Sequence, residues 1–216
     1  MRLVLAACLL WAFNSSAQDT TSTDSLHGRQ AIHRLAITFR PLGAISPFLT
    51  NYTFGVQYNI TKKIVVEADA GWIQTWFYLS TENADNISNS GFRLGGELKY
   101  VIWHGMYFAL QGFYNDYTKS SEEYVWRFGE TYEEKMDVER LITSWGGHLK
   151  GGIILTKPRK KFFFDFYAGL GFRQKEILIP GLPDDAEIID DGDFSQPPGI
   201  HAYPSMTLGV AIGWKL

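Results

Sequence analysis

Cysteine is almost absent: Cys8 is the only one in 216 residues. A scaffold held together by disulfides is thereby excluded. Long apolar runs are missing too, since no stretch beyond the N-terminal region reaches the roughly 18 residues of a membrane-spanning helix. Excess positive charge is lacking, with 20 Lys and Arg against 23 Asp and Glu and a net charge of -3. That excludes binding to nucleic acid through a basic surface. No Gly-rich phosphate loop, zinc ligand set or dinucleotide fingerprint occurs, so no cofactor is expected. What is abundant is aromatic: 15% of the residues are Phe, Trp or Tyr, beside 21 glycines. Many aromatics without long apolar runs suit a protein built of strands, in which only every second residue needs to be apolar.

The first residues set the compartment. Arg2 supplies a positive start, Leu3 to Phe13 an apolar run, and Asn14-Ser15-Ser16-Ala17 a small, polar junction before Gln18. This pattern predicts a secretory signal peptide over residues 1–17, cleaved after Ala17. The expected mature chain has no cysteine, and losing Arg2 takes its net charge from -3 to -4. Cys8 follows Leu5-Ala6-Ala7 as in a lipoprotein signal, but Leu9-Leu10-Trp11 continue the apolar core, which favours the ordinary signal. Residues 18–30 are polar and rich in Ser, Thr and Asp, and are expected to form a flexible periplasmic leader. Residues 31–216 are read as one domain.

The clearest periodicity lies at the end of the chain. Met206, Leu208, Val210, Ile212, Trp214 and Leu216 form one apolar row; Thr207, Gly209, Ala211, Gly213 and Lys215 form the other. A period of two puts these rows on opposite faces of a strand. About ten such residues, tilted, cross a hydrocarbon layer. The same alternation marks Arg34–Ala44, Asn51–Ile60, Ile64–Leu79, Gly91–Trp103, Met106–Tyr117, Val138–Leu155 and Phe162–Ile177. Thr61-Lys62-Lys63, the hairpin pair His104-Gly105 and Thr156–Lys161 are short turns. Ser80–Ser90, Lys119–Asp137 and Leu178–Tyr203 are longer polar loops, and Tyr124 to Tyr132 could extend the hairpin around them. A β-sandwich has no reason to alternate short and long connections, whereas outer-membrane barrels have short periplasmic turns and long outside loops. The predicted fold is all-β: an eight-stranded antiparallel up-and-down transmembrane β-barrel with both chain ends periplasmic. A soluble periplasmic β-protein is the alternative.

The two rows of each strand differ in chemistry. One is nearly free of formal charge, and its aromatics gather near strand ends (Tyr52, Trp76, Tyr78, Tyr100, Tyr114, Trp214), as in interfacial girdles. The other carries Arg34, Arg40, Glu67, Asp69, Arg93, Glu97, Lys99, Arg140, Lys150, Asp165, Arg173 and Lys215. An eight-stranded barrel has an interior only wide enough for side chains to fill. A buried charge without a partner is very costly, so these groups are expected to pair across the lumen or hold trapped water. The spacing does not say which pairs with which.

On its signal peptide, strand count, loop asymmetry and closing strand, the chain resembles the small eight-stranded outer-membrane barrels of the OmpA-transmembrane-domain type. The likeness covers nearly all of the mature length and extends to other outer-membrane β-barrel families of Gram-negative bacteria. The chain ends in Leu216 where many of those end in Phe. The resemblance implies a place in the cell outer membrane, in contact with outer-membrane lipid. It does not imply peptidoglycan anchoring, because no such domain follows the barrel. Asp19-Thr20-Thr21 and Asp24-Ser25-Leu26 resemble the acceptor of periplasmic O-glycosylation, a pattern short enough to match by chance.

Some barrels of this size are lipid A-modifying enzymes, and deacylase-like ones carry His-x-Ser on a lipid-facing strand. Here His201-Ala202-Tyr203-Pro204-Ser205 has a different spacing and a proline, and His148 shares the inward row with Ser144. No catalytic residue is expected. Asp184-Asp185 and Asp190-Asp191-Gly192-Asp193 could gather oxygen ligands for calcium, but their spacing does not fit an EF-hand loop. A solvated acidic loop is the plainer reading, and no metal site is expected. Tyr124, Trp126, Phe128 and Tyr132, aromatic among charges, form the expected loop interface. The expected function is non-enzymatic: presenting extracellular loops for binding, or serving as a small subunit of an envelope assembly with a protein partner. Acyl chemistry on lipid A or phospholipid, and a narrow pore, are the rival functions.

Overall fold

The computed structural model describes residues 34–41, 51–74, 88–127, 132–156, 160–183, 186–188 and 197–216. The expected signal peptide and leader lie outside the described residues, as do Trp76, Tyr78, Phe128, Asp184, Asp185 and the acidic group at 190–193. All described residues belong to one unit, Ile32–Leu216.

The strands are β1 Leu35–Arg40, β2 Asn51–Asn59, β3 Ile64–Gln74, β4 Ser88–Trp103, β5 Met106–Arg127, β6 Tyr132–Thr156, β7 Phe162–Leu178, β8 Ala186–Ile188 and β9 Gly199–Lys215. Each of β1 to β7 pairs antiparallel with the next. β9 then pairs with both β7 and β1, which closes the ring. Eight strands make an up-and-down barrel, and the three-residue β8 lies outside it, paired with Val125–Arg127 of β5. Closure is what removes exposed edges from a sheet.

The alternation read from the sequence sorts the two faces. Thr38, Lys99 and Asp165 on the inward rows are each 1% exposed, whereas the outward Leu149 is 65% and Leu208 81% exposed. Phe54, Trp72, Leu94, Leu110, Leu170 and Phe166 stand in the same outward belt. β2, β4, β6 and β9 end, and β1, β3, β5 and β7 begin, at one end of the barrel, the turn end; the opposite ends of these strands form the other, the loop end. At 60–63 the Thr61 hydroxyl accepts from the amides of Lys63 and Ile64, at 3.1 and 3.0 Å. His104 and Gly105 have φ of 46° and 85°. Both are left-handed, as the hairpin turn that follows strand twist requires.

One of the expected loops is largely strand, and another contains strand residues. Lys119–Asp137 continues the β5–β6 ladder without a break from Met106↔Ile153 to Arg127↔Tyr132. Charges on both faces of that stretch hide its alternation. Within Leu178–Tyr203, β9 begins at Gly199 and β8 adds a further pairing. Pro204 reads as a breaker, yet it pairs with Phe172 in a part of β9 whose only described neighbour is β7. A proline is tolerated where one edge of a strand lacks a ladder partner.

Candidate functional site

The inward rows of β1, β3, β4, β6 and β7 meet in the lumen. Arg40 spans three carboxylates: Glu67 and Asp69 at 3.0 Å and Glu97 at 3.3 Å. Lys99 lies 2.8 Å from Glu67 and 2.5 Å from Asp165, and Lys150 lies 2.5 Å from Glu97. Two hydroxyls complete the set, Tyr107 donating to Asp165 at 2.7 Å and Thr38 to Glu67 at 2.8 Å. The Lys150 ammonium also sits 3.8 Å from the centre of the Tyr167 ring. Arg40, Lys99, Glu67, Asp69 and Glu97 each have two or more opposite neighbours. Asp165 and Lys150 have one each, supplemented by the Tyr107 hydroxyl and the Tyr167 ring. Pairing of this kind is the condition under which ions withstand burial. Glycines make the room: a Cβ on Gly95 would fall 2.4 Å from Asp69, and one on Gly209 would fall 2.3 Å from the Tyr167 hydroxyl.

Towards the loop end the lumen changes character. Arg93 reaches Asp69 only at 3.8 Å and donates to Asn115 at 3.4 Å. The Arg93 and Arg173 guanidiniums both lie 5.2 Å from the centre of the Phe113 ring. His148 stacks on the same ring at 5.0 Å, and its Nε2 is 3.0 Å from the Ser205 hydroxyl. This pair faces the lumen on β6 and β9, away from the outward belt. His148 and Ser144 share the inward row of β6 as expected, and Ser144 accepts from Asn115 at 3.1 Å.

Beyond the ring, β5 and β6 form a projecting hairpin. Among the described residues the last pairing of β4 with β5 is Ser88↔Ser120, and the last of β6 with β7 is Leu141↔Leu178. Arg140 is held by Glu123 on this hairpin, with Nη2 donating to Oε2 at 2.6 Å. Arg127 lies 3.6 Å from Glu134, and Lys135 pairs with Glu122. Tyr124 is 51% exposed and shares its face with Trp126, whereas Tyr132, 45% exposed, stands opposite Arg127 on the other face. The expected aromatic cluster is thus split between two faces of the hairpin.

Of the charges expected to pair across the lumen, Arg40, Glu67, Asp69, Glu97, Lys99, Lys150 and Asp165 come together, with Arg93 at their upper margin. Arg140 belongs to the hairpin pair instead. Arg34 precedes β1 and is exposed, so it is outside the lumen cluster. Lys215 donates to Thr156 at 2.7 Å near the turn end. Tyr107, Tyr167, Thr38 and Phe113 were not singled out in advance, although their inward parity was the available signal.

The hairpin pair has a pH signature. Partial burial pushes the Glu123 carboxyl up, but hydrogen bonds from Arg140 and Ser121 and the charge of Arg140 outweigh it, leaving the pKa below 4.5. A lowered carboxylate pKa adds stability above the ordinary value that disappears as pH falls through the folded value. The protection factors of the amides across Ser121–Arg127 and Tyr132–Arg140, which correct for the intrinsic pH dependence of exchange, are therefore expected to fall on acidification below pH 4.5. Glu123→Gln should remove that pH dependence, and an unchanged profile in the variant would count against it.

No protein-family model and no curated protein sequence matches this chain.

Proposed function

We propose that this chain is an OmpA-transmembrane-domain-like barrel of the cell outer membrane that works by presenting its β5–β6 hairpin to a protein partner. The observation that carries the reading is the hairpin, which continues through Ser121–Arg127 and Tyr132–Arg140 after the described pairings with β4 and β7 have ended, with only the three residues of β8 still paired to it at Val125–Arg127. Tyr124 and Trp126 on one of its faces are aromatic anchors, flanked across the ladder by Lys135 and Glu133. Aromatic anchors within a charged rim are what interfaces use.

The membrane placement is supported by the outward belt. Leu94, Leu110, Leu149, Leu170 and Leu208 are each at least half exposed on a closed ring. An uncovered apolar surface of that extent is unfavourable in water and favourable against hydrocarbon. A predicted secretory signal accords with export. Cross-lumen ion pairs favour a filled interior over a pore, and the inward His148–Ser205 pair is poorly placed for acyl chains.

The test is a cross-linked pull-down from detergent-solubilised outer membrane, comparing the natural chain with Tyr124→Ala/Trp126→Ala. A stoichiometric partner should be recovered with the natural chain and fall about tenfold or more with the variant. Recovery of the barrel alone, or equal recovery of the partner by both, would contradict the reading.

A further inference from the structure

The lower and upper parts of the lumen differ in charge balance. Below, Glu67, Asp69, Glu97 and Asp165 face Arg40, Lys99, Lys150 and Arg93, which is four charges of each sign. Arg173 adds a further cation on the next level. Among the described residues no carboxylate comes within salt-bridge distance of it, and its guanidinium lies 5.2 Å from the centre of the Phe113 ring. Its buried Nε has no hydrogen-bond partner among the described residues. The second guanidinium on that ring, Arg93, donates to Asn115 at 3.4 Å, and its one carboxylate contact among the described residues is the long 3.8 Å one with Asp69, which Arg40 already holds at 3.0 Å.

His148 adds a third donor. It is 4% exposed and lies flat on Phe113, and its Nδ1 has no hydrogen-bond partner among the described residues. When the Ser205 hydroxyl donates to Nε2, the ring proton sits on Nδ1, which is then a donor. Two guanidiniums and an imidazole N–H around one aromatic ring repel or go unsatisfied unless an anion joins them. Arginine forks match tetrahedral and planar oxyanions, and two of them favour a doubly charged one. Nearer the loop end Lys119 and Lys175 also face inward, and Arg140 is paired with Glu123, so the net charge on that side still has the sign that draws anions in.

We propose that the upper lumen holds a phosphate-class oxyanion between Arg93 and Arg173, with the Nδ1–H of His148 as a third donor. The site is a property of the lumen alone and does not depend on what the hairpin binds. Its source is either free phosphate or the phosphomonoester head of a lipid.

The test uses the full mature chain, folded in a zwitterionic detergent, with two probes: inorganic phosphate, and a short-chain phosphatidic acid. Each is titrated at matched ionic strength against chloride, with calorimetry and the thermal midpoint as readouts. Saturable binding is expected that weakens about tenfold or more in Arg173→Gln. Arg173→Lys, which keeps the charge but not the fork, should retain part of the affinity. In chloride alone Arg173→Gln should unfold no earlier than the natural chain, because it relieves like-charge crowding. Binding of both probes, or of inorganic phosphate only, assigns free phosphate; binding of the lipid only assigns a head group. Binding of neither, or binding indifferent to Arg173→Gln and to Arg93→Gln, would overturn the site.

Discussion

Replacing Glu67 by Gln is expected to cost the folded barrel about 3–5 kcal/mol, the usual consequence of leaving buried charges uncompensated. Glu67 meets Arg40 at 3.0 Å and Lys99 at 2.8 Å, and its side chain is fully shielded from solvent. The glutamine keeps the shape but removes the charge that both cations need. Lys99→Met should be of similar size, since it leaves Glu67 and Asp165 facing one cation fewer. The pair of changes together leaves Asp69, Glu97 and Asp165 against Arg40, Arg93 and Lys150, a neutral set again. Glu67→Gln/Lys99→Met is therefore expected to be less damaging than the sum of its parts by about 1–3 kcal/mol. Urea titrations followed by tryptophan fluorescence would measure all three variants. Strict additivity would mean that the two groups do not act as a pair.

Gly171→Ala should be nearly as severe, for a steric reason. A Cβ at Gly171 would lie 1.8 Å from the Gly147 carbonyl oxygen and 2.8 Å from its carbon. Those are backbone atoms of the paired strand, so no side chain can swing away. Overpacking of this kind costs about 1–3 kcal/mol or more, and here the strain falls directly on the β6–β7 ladder. The control is Gly112→Ala, on the outward face, where an added Cβ meets nothing within 4 Å. Gly112→Ala should be neutral or slightly stabilising, because alanine has less backbone freedom to lose than glycine. Similar midpoints for the two variants would show that the close approach at Gly171 is not a constraint.

Much of the fold was legible because a period of two states, residue by residue, which face a side chain takes. The eight barrel strands sorted their described rows as expected, from Ala36 and Thr38 inward on β1 to Trp214 outward on β9. The turn at His104-Gly105 was legible because few residue pairs accept two left-handed conformations. The extension of β5 and β6 was harder to see, since Glu122, Glu123, Glu133 and Glu134 put charge on both faces and blur the alternation. β8 gave no signal at all: three residues are too few for a period.

The lumen was legible as a set of residues but not as a network. Parity says that Asp165 and Lys99 both point inward; it cannot say that β7 and β4 bring them to 2.5 Å across the barrel. The same limit separated His148 from Ser205, which stand 57 positions apart in the chain. It also hid the division of the inward cations into a balanced lower cluster and an upper group around Phe113. Arg34 was misplaced because parity holds only inside a strand, and it stands one residue before β1.

The central claim is that the outward belt lies against lipid while the hairpin stands in water. Single cysteines introduced at Leu149 and Tyr124, in a chain carrying Cys8→Ser, test it directly when the protein is folded into lipid vesicles. A membrane-impermeant maleimide should label Tyr124→Cys within minutes and leave Leu149→Cys unmodified until the protein is boiled in SDS. Equal labelling of the two positions in intact vesicles would contradict the account.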